Sequence, residues 1–196
     1  MIENIQVETD HWFERQIYGG SIFSWTLAAR LGHMLNQAEH LFGARDSTYT
    51  ILGVEFGGDI PRVRYLRNWH QAIVQITPSC ATDTVRACHQ MAYQCIHLLS
   101  PTDTRNVTVL EEGLAIHFSR RYIREHLRAV NWLSDETESH SNACMLVEQL
   151  LTLDPAIICS VRRSQPTISH ISPDDIRTVC SNVPTELATA LTQPFV

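Results

Sequence analysis

The spacing at which apolar residues recur changes along the chain, and this change limits the folds that the chain can adopt. Apolar residues recur at helical spacing over Ser21–Phe42, and Gly43 predicts the end of this helix. Three segments rich in β-favouring residues follow: Tyr49–Phe56, Arg62–Leu66 and Gln71–Ile76. Helical patterns return after Pro78. One helix, a small sheet and then a helical half predict an α+β fold.

The helical half contains two long predicted helices and several shorter ones. Thr82 or Asp83 can cap the first long helix. The second runs from about Thr108 to Leu133, and the polar residues 134–141 predict a surface loop. The remaining helices are predicted at Asn142–Leu153 and after the proline signals Asp154-Pro155, Ser172-Pro173 and Pro184.

Length and composition predict a single domain over residues 1–196, with parts at 20–80, 81–133 and 142–196. The chain is 44% hydrophobic and 18% charged, which is typical of an ordered domain. Its formal charge of −6 argues against a general nucleic-acid binder or a ligand of anionic membranes. No apolar run approaches the ~18 residues that a membrane-spanning helix needs. The sequence does not determine an oligomeric state.

The lysine and cysteine content narrows the chemistry and the compartment. All 15 basic residues are arginine, so a lysine Schiff base is excluded. The six cysteines lack the close pairing of a disulfide scaffold and the polar opening residues do not resemble a signal peptide, so we expect a cytoplasmic protein. Cys88 and Cys95 could form a metal or redox pair, but two small core residues are the simpler interpretation.

His89, Tyr93 and His97 recur every four residues and predict one ridge on the first long helix. This spacing suits two metal ligands on successive turns, as in the zinc motif His-Glu-x-x-His. The corresponding segment here reads Tyr93-Gln94-Cys95-Ile96-His97. One ligand position is kept by His97, whereas Tyr93 stands at the first histidine and Gln94 at the catalytic glutamate.

Glu111 follows His97 by fourteen residues and lies in the segment Val109-Leu110-Glu111-Glu112-Gly113-Leu114-Ala115-Ile116-His117. This segment resembles the glutamate helix of the gluzincin branch of zinc metallopeptidases. In that alignment Glu112 matches the third zinc ligand, Gly113-Leu114-Ala115 match directly, and His117 stands at a tyrosine position. The order of elements over 21–133 also resembles a minimal zincin-like domain, with an active-site helix followed by a glutamate helix.

The resemblance implies a zinc site formed by His97 and Glu112, with Tyr93 or His89 as a third ligand. It also implies impaired hydrolysis, because Gln94 has no titratable proton with which to activate water. Glu111 could act as the base instead, although it leaves the helix about 100° from Glu112. His117 could join the site, but it lies about 140° from Glu112 around the helix axis.

Three functions follow as alternatives, so enzymatic activity stays uncertain. The first is a zincin-like pseudo-peptidase that binds a peptide or protein partner in a cleft between Gln71–Ile76 and the helix carrying His97, with an extended segment added to the strand edge. The second is an active metal-dependent peptidase or hydrolase with the unusual ligand set. The third is a metal-free helical interaction protein. In this last case Glu112 would be solvated or paired with Arg120 or Arg121.

Overall fold

The α+β fold that the sequence predicts is confirmed in a computed structural model, which describes residues 26–66, 70–102, 107–129, 132 and 136–196. The helices are α1 (Leu27–Phe42), α2 (Thr84–Leu99), α3 (Val109–Leu127), α4 (Glu138–Leu153), α5 (Ile157–Val161), α6 (Pro173–Val179) and α7 (Thr185–Leu191). The strands are β1 (Thr50–Phe56), β2 (Arg62–Leu66) and β3 (Gln71–Ile76). Short 3-10 turns occupy Pro78–Thr82 and Ile168–His170. No helix within the described ranges is long and apolar enough to cross a bilayer.

The three strands form a mixed sheet in the order β1-β3-β2. Strand β3 lies in the centre, parallel to β1 and antiparallel to β2. The expected addition of an extended segment to the edge of Gln71–Ile76 is therefore wrong, because both edges of β3 are already paired. Within the described residues, β2 is the outer strand on the side that borders α2 and α3.

Helix α2 lies at the centre of the hydrophobic core, where it packs against α1 on one side and α3 on the other. Its two cysteines, Cys88 and Cys95, are both fully buried. Burial raises the pKa of the Cys88 thiol to about 12, so this side chain stays neutral. The simpler interpretation of both residues as small core side chains is the one that the packing supports.

Two helix boundaries differ from the expected ones for local reasons. Helix α3 ends at Leu127 because Arg128 adopts a left-handed conformation with φ of 54°; the predicted end at Leu133 lies outside the described residues. Helix α4 begins at Glu138 rather than Asn142, because Thr137 and His140 form a reciprocal capping box. Residues 138–141 are thus the first turn of a helix, and the predicted loop there is wrong.

Two of the four predicted helix starts are capped by the expected side chain. Helix α5 begins after Ala156 rather than after Asp154, and Pro184 precedes α7 without a side-chain cap. Asp83 accepts a hydrogen bond from the Arg86 amide and caps α2, and Ser172 forms a capping box with Asp175 at α6. Helix α1 begins after Thr26, which accepts from the Ala29 amide; the predicted start at Ser21 lies outside the described residues.

The N-terminal end of α3 is held by a distant part of the chain. Thr108 caps this helix and pairs with Pro194 in an isolated antiparallel bridge. The Val109 amide donates to Gln193 O at 2.9 Å, and the Phe195 amide donates to Val107 O at 2.8 Å. These bonds fix the turn of α3 that carries Glu111 and Glu112.

Arg162 connects α5 to the end of α1 and the end of α2. It is 6% exposed. Its guanidinium donates to five backbone carbonyl groups, those of Phe42, Gly43, Ala44, Leu99 and Pro166, at 2.7–3.1 Å. A charged side chain thereby satisfies the carbonyl groups that two helix ends leave unpaired.

Candidate functional site

A polar groove lies between β2 and the facing sides of α2 and α3. This central groove has a volume of about 260 Å³. Its lining comprises Pro61, Arg62, Val63, Tyr65, Tyr93, Gln94, His97, Ser100, Thr102, Val107, Glu111 and Glu112. The groove thus contains five of the six residues predicted as catalytic or metal-binding from the sequence.

His97 and Glu111 form a buried pair on one wall of the groove. Nδ1 of His97 lies 2.7 Å from Glu111 Oε1, with side chains 15% and 7% exposed. Burial alone would lower the pKa of His97, but the hydrogen bond to Glu111 and the charges of Glu111 and Glu112 raise it overall. The charged form of the imidazole is therefore more stable here than in a free histidine.

Tyr93 lies on α2 one turn before His97. Its hydroxyl donates a hydrogen bond to the Glu112 carboxylate. Burial raises the pKa of Tyr93 well above its ordinary value, and the Glu112 carboxylate raises it further. The side chain is therefore a neutral phenol. The tyrosine and histidine rings also contact each other at a centroid distance of 5.4 Å.

Gln94 lies in the same groove and is 3% exposed. Its neutral amide can orient a bound group but cannot take a proton from water at neutral pH. Glu111, the alternative base, is already engaged by His97. The arrangement therefore presents hydrogen-bonding groups that already contact one another in two pairs.

His89 lies in a neighbouring space, the side cavity, rather than in the central groove. This cavity of about 570 Å³ is lined by Asp59, Ile60, Pro61, Thr77, Ser79, Arg86, His89, Gln90, Tyr93, Trp132, Glu136 and His140. Nε2 of His89 lies 3.2 Å from both Ser119 Oγ and Glu136 Oε1. Pro61 and Tyr93 line both spaces, so the side cavity and the central groove are adjacent.

The residues of the central groove fit a zinc ion poorly. Glu112 accepts a hydrogen bond from the Tyr93 hydroxyl, so this carboxylate is already engaged. In the described residues, His97, Glu111 and Glu112 are not among the groups that bring three ligand atoms within 4.8 Å of one another. A neutral phenol is also a weak substitute for the imidazole ligand that Tyr93 replaces.

His117 lies on another side of α3, away from the central groove. Together with Cys144 and Glu148 of α4 it forms a group whose ligand atoms all lie within 4.8 Å of one another and which could hold a metal ion. Sequence reasoning missed Cys144 and Glu148. Their spacing of four residues on one helix was the available signal, but the pairing of α3 with α4 cannot be read from spacing.

The basic residues of α3 do not pair with Glu112. Arg120 binds Glu136, and Arg121 Nε lies 3.0 Å from Glu125 Oε1 one turn further along α3. The proposed pairing of Glu112 with either arginine is therefore wrong. These contacts place the arginines on faces of α3 that do not line the central groove.

Comparisons of this chain with protein-family models, curated proteins and solved structures give no match.

Proposed function

We propose that the chain is a zincin-like pseudo-peptidase that binds an extended peptide or protein segment in the central groove without hydrolysing it. The observation that carries this proposal is the position of β2. Its outer edge has no strand partner among the described residues, and the strand borders the row of polar side chains on α2 and α3.

An exposed strand edge favours binding of a main chain. Unpaired amide and carbonyl groups on such an edge can form a ladder with an added strand, and neighbouring pockets then select its side chains. The side cavity is one such neighbouring pocket, because it shares Pro61 and Tyr93 with the central groove. At its mouth Ile60 is 67% exposed, which offers an apolar contact to a bound side chain.

The chemistry of the groove supports binding rather than hydrolysis. Tyr93 and Glu112 satisfy each other, as do His97 and Glu111, and Gln94 stands where the resemblance places a general base. We propose that zinc has been lost from this groove and is not required for binding. The two carboxylates then serve to hold the tyrosine and histidine side chains in place.

Peptide affinity selection tests this proposal directly. The probe is a pool of randomised, unstructured peptides, with casein as a disordered protein, incubated with wild-type protein in the presence of zinc or of a chelator. We expect intact peptides to be retained equally in both conditions. Ile60→Asp should weaken retention by about tenfold or more, because it puts a charge at the apolar mouth.

Leu52→Asp is the matched control, since Leu52 is an apolar side chain of β1 that is 50% exposed and does not line the groove. It should bind peptides as the wild type does. Equal retention by Ile60→Asp and Leu52→Asp would contradict the side cavity as part of the proposed binding site. Zinc-dependent appearance of cleaved peptides would instead support the active-hydrolase alternative.

A further inference from the structure

We infer that His117, Cys144 and Glu148 form a zinc-binding site that links α3 to α4, separate from the central groove. The three side chains offer one imidazole nitrogen, one sulfur and one carboxylate oxygen, all within 4.8 Å of one another. Nitrogen and sulfur ligands of this kind favour Zn²⁺ over hard cations such as Mg²⁺ or Ca²⁺.

The distances between the ligand atoms suit one ion. Nδ1 of His117 lies 3.5 Å from Glu148 Oε1, and Cys144 Sγ lies 3.7 Å from the same oxygen. Zinc bonds of about 2.0–2.3 Å at tetrahedral angles separate neighbouring ligand atoms by roughly 3.3–3.7 Å. An ion could therefore enter between these atoms with little movement of either helix.

The site depends on an unusually close approach of α3 and α4. Gly113 lies one turn before His117, and a Cβ added there would come within 2.4 Å of Ala143 O. Ala143 directly precedes Cys144. The glycine thus lets the two backbones meet where the imidazole must reach the thiol and carboxylate of the facing helix.

One arginine lies beside the proposed thiolate ligand. Arg120 Nη1 lies 3.6 Å from the Cys144 sulfur. Zinc would replace the thiol proton, which leaves to solvent as the Zn–S bond forms. Arg120 is itself paired with Glu136, which limits its repulsion of the ion.

The site has room for a fourth ligand. His117 and Glu148 also line a cavity of about 470 Å³ bordered by α1 and α4, together with Leu41, Phe42, Arg121, Leu151, Thr152 and Pro155. Three protein ligands beside an open space are typical of zinc sites that keep one exchangeable position. We therefore expect a water molecule to complete the coordination from the cavity.

Zinc titration of chelator-stripped protein tests this inference. We expect about one Zn²⁺ per chain, a zinc-dependent rise in the melting temperature and, with Co²⁺, a thiolate-to-cobalt charge-transfer band. Glu148→Gln should weaken zinc binding by at least about tenfold. The Glu148 side chain is 57% exposed, so this variant keeps the fold.

Glu138→Gln is the matched control, because it removes an exposed glutamate from the same helix, and Cys159→Ser is the control for the thiol signal. Both should bind zinc as the wild type does. A cobalt complex without the thiolate band, or equal zinc affinity in Glu148→Gln and Glu138→Gln, would overturn the inference. If His97→Gln were the only variant to lose zinc, the zinc site would be assigned to the central groove instead.

Discussion

At the scale of single residues, the buried side chains of His97 and Arg162 are held in two different ways. His97 is held by the Glu111 carboxylate, whereas Arg162 binds only backbone carbonyl groups among its recorded hydrogen bonds. A planar guanidinium has five N–H donors in a fixed fork, so it can serve several carbonyl groups at once. The ends of α1 and α2 therefore depend on the shape of this side chain as well as on its charge.

Replacement of Arg162 by lysine should destabilise the protein by about 3 kcal/mol, although the charge is kept. An ammonium group has only three donors, so buried carbonyl groups lose partners. Urea unfolding measures the loss, and Arg163→Lys is the control, because Arg163 is exposed and adjacent in the chain. Equal unfolding midpoints in the two variants would contradict the role of Arg162.

The sequence predicted which residues meet in the groove better than it predicted their partners. Helical spacing put His89, Tyr93 and His97 on one ridge of α2, although His89 lines the side cavity instead. The motif comparison added Gln94, and the glutamate helix supplied the two carboxylates. The sequence did not predict that His97 would pair with Glu111 and Tyr93 with Glu112. That choice depends on how two helices cross, which spacing along each helix does not encode.

At the scale of secondary-structure elements, α3 and α4 approach each other closely at Gly113. The Cβ that an alanine would add at Gly113 would also lie 2.6 Å from Val147 Cγ2.

Strand and cap positions were predictable because they follow local patterns. The order β1-β3-β2 was not, because three short strands allow several pairings and their connections do not distinguish them.

Gly113→Ala should destabilise the protein by about 2 kcal/mol, because overpacking against a backbone carbonyl outweighs the gain in helix propensity. Gly32→Ala in α1 is the matched control, since nothing lies within 4 Å of its added Cβ. That variant should gain roughly 0.5–1 kcal/mol. Thermal unfolding of both variants measures the difference, and a stabilised Gly113→Ala protein would contradict the close approach.

At the scale of the whole molecule, partly buried histidines make stability depend on pH. Burial lowers the pKa of His33 and of His126, whose rings contact each other and Tyr122 at the junction of α1 and α3. Arg30 lowers both values further. His97 has the opposite shift, because its carboxylate partners raise its pKa.

The free energy of unfolding should fall as pH drops below the unfolded histidine pKa of about 6.5. In that range the unfolded chain binds protons at His33 and His126 more readily than the folded one. His97 works against this trend, since its contribution is present at low pH and is lost as pH rises through its folded pKa. His126→Gln should flatten the slope in urea unfolding with chelator present, and an unchanged slope would contradict the assignment.

The bridge between Thr108 and Pro194 ties the carboxylate wall of the groove to a segment far along the chain. During synthesis, α3 emerges well before residues 193–195 can clamp its first turn. The helices can therefore dock early while Glu111 and Glu112 still lack their final support. A chain stalled before this segment would therefore present the groove without the bonds that hold its carboxylate wall.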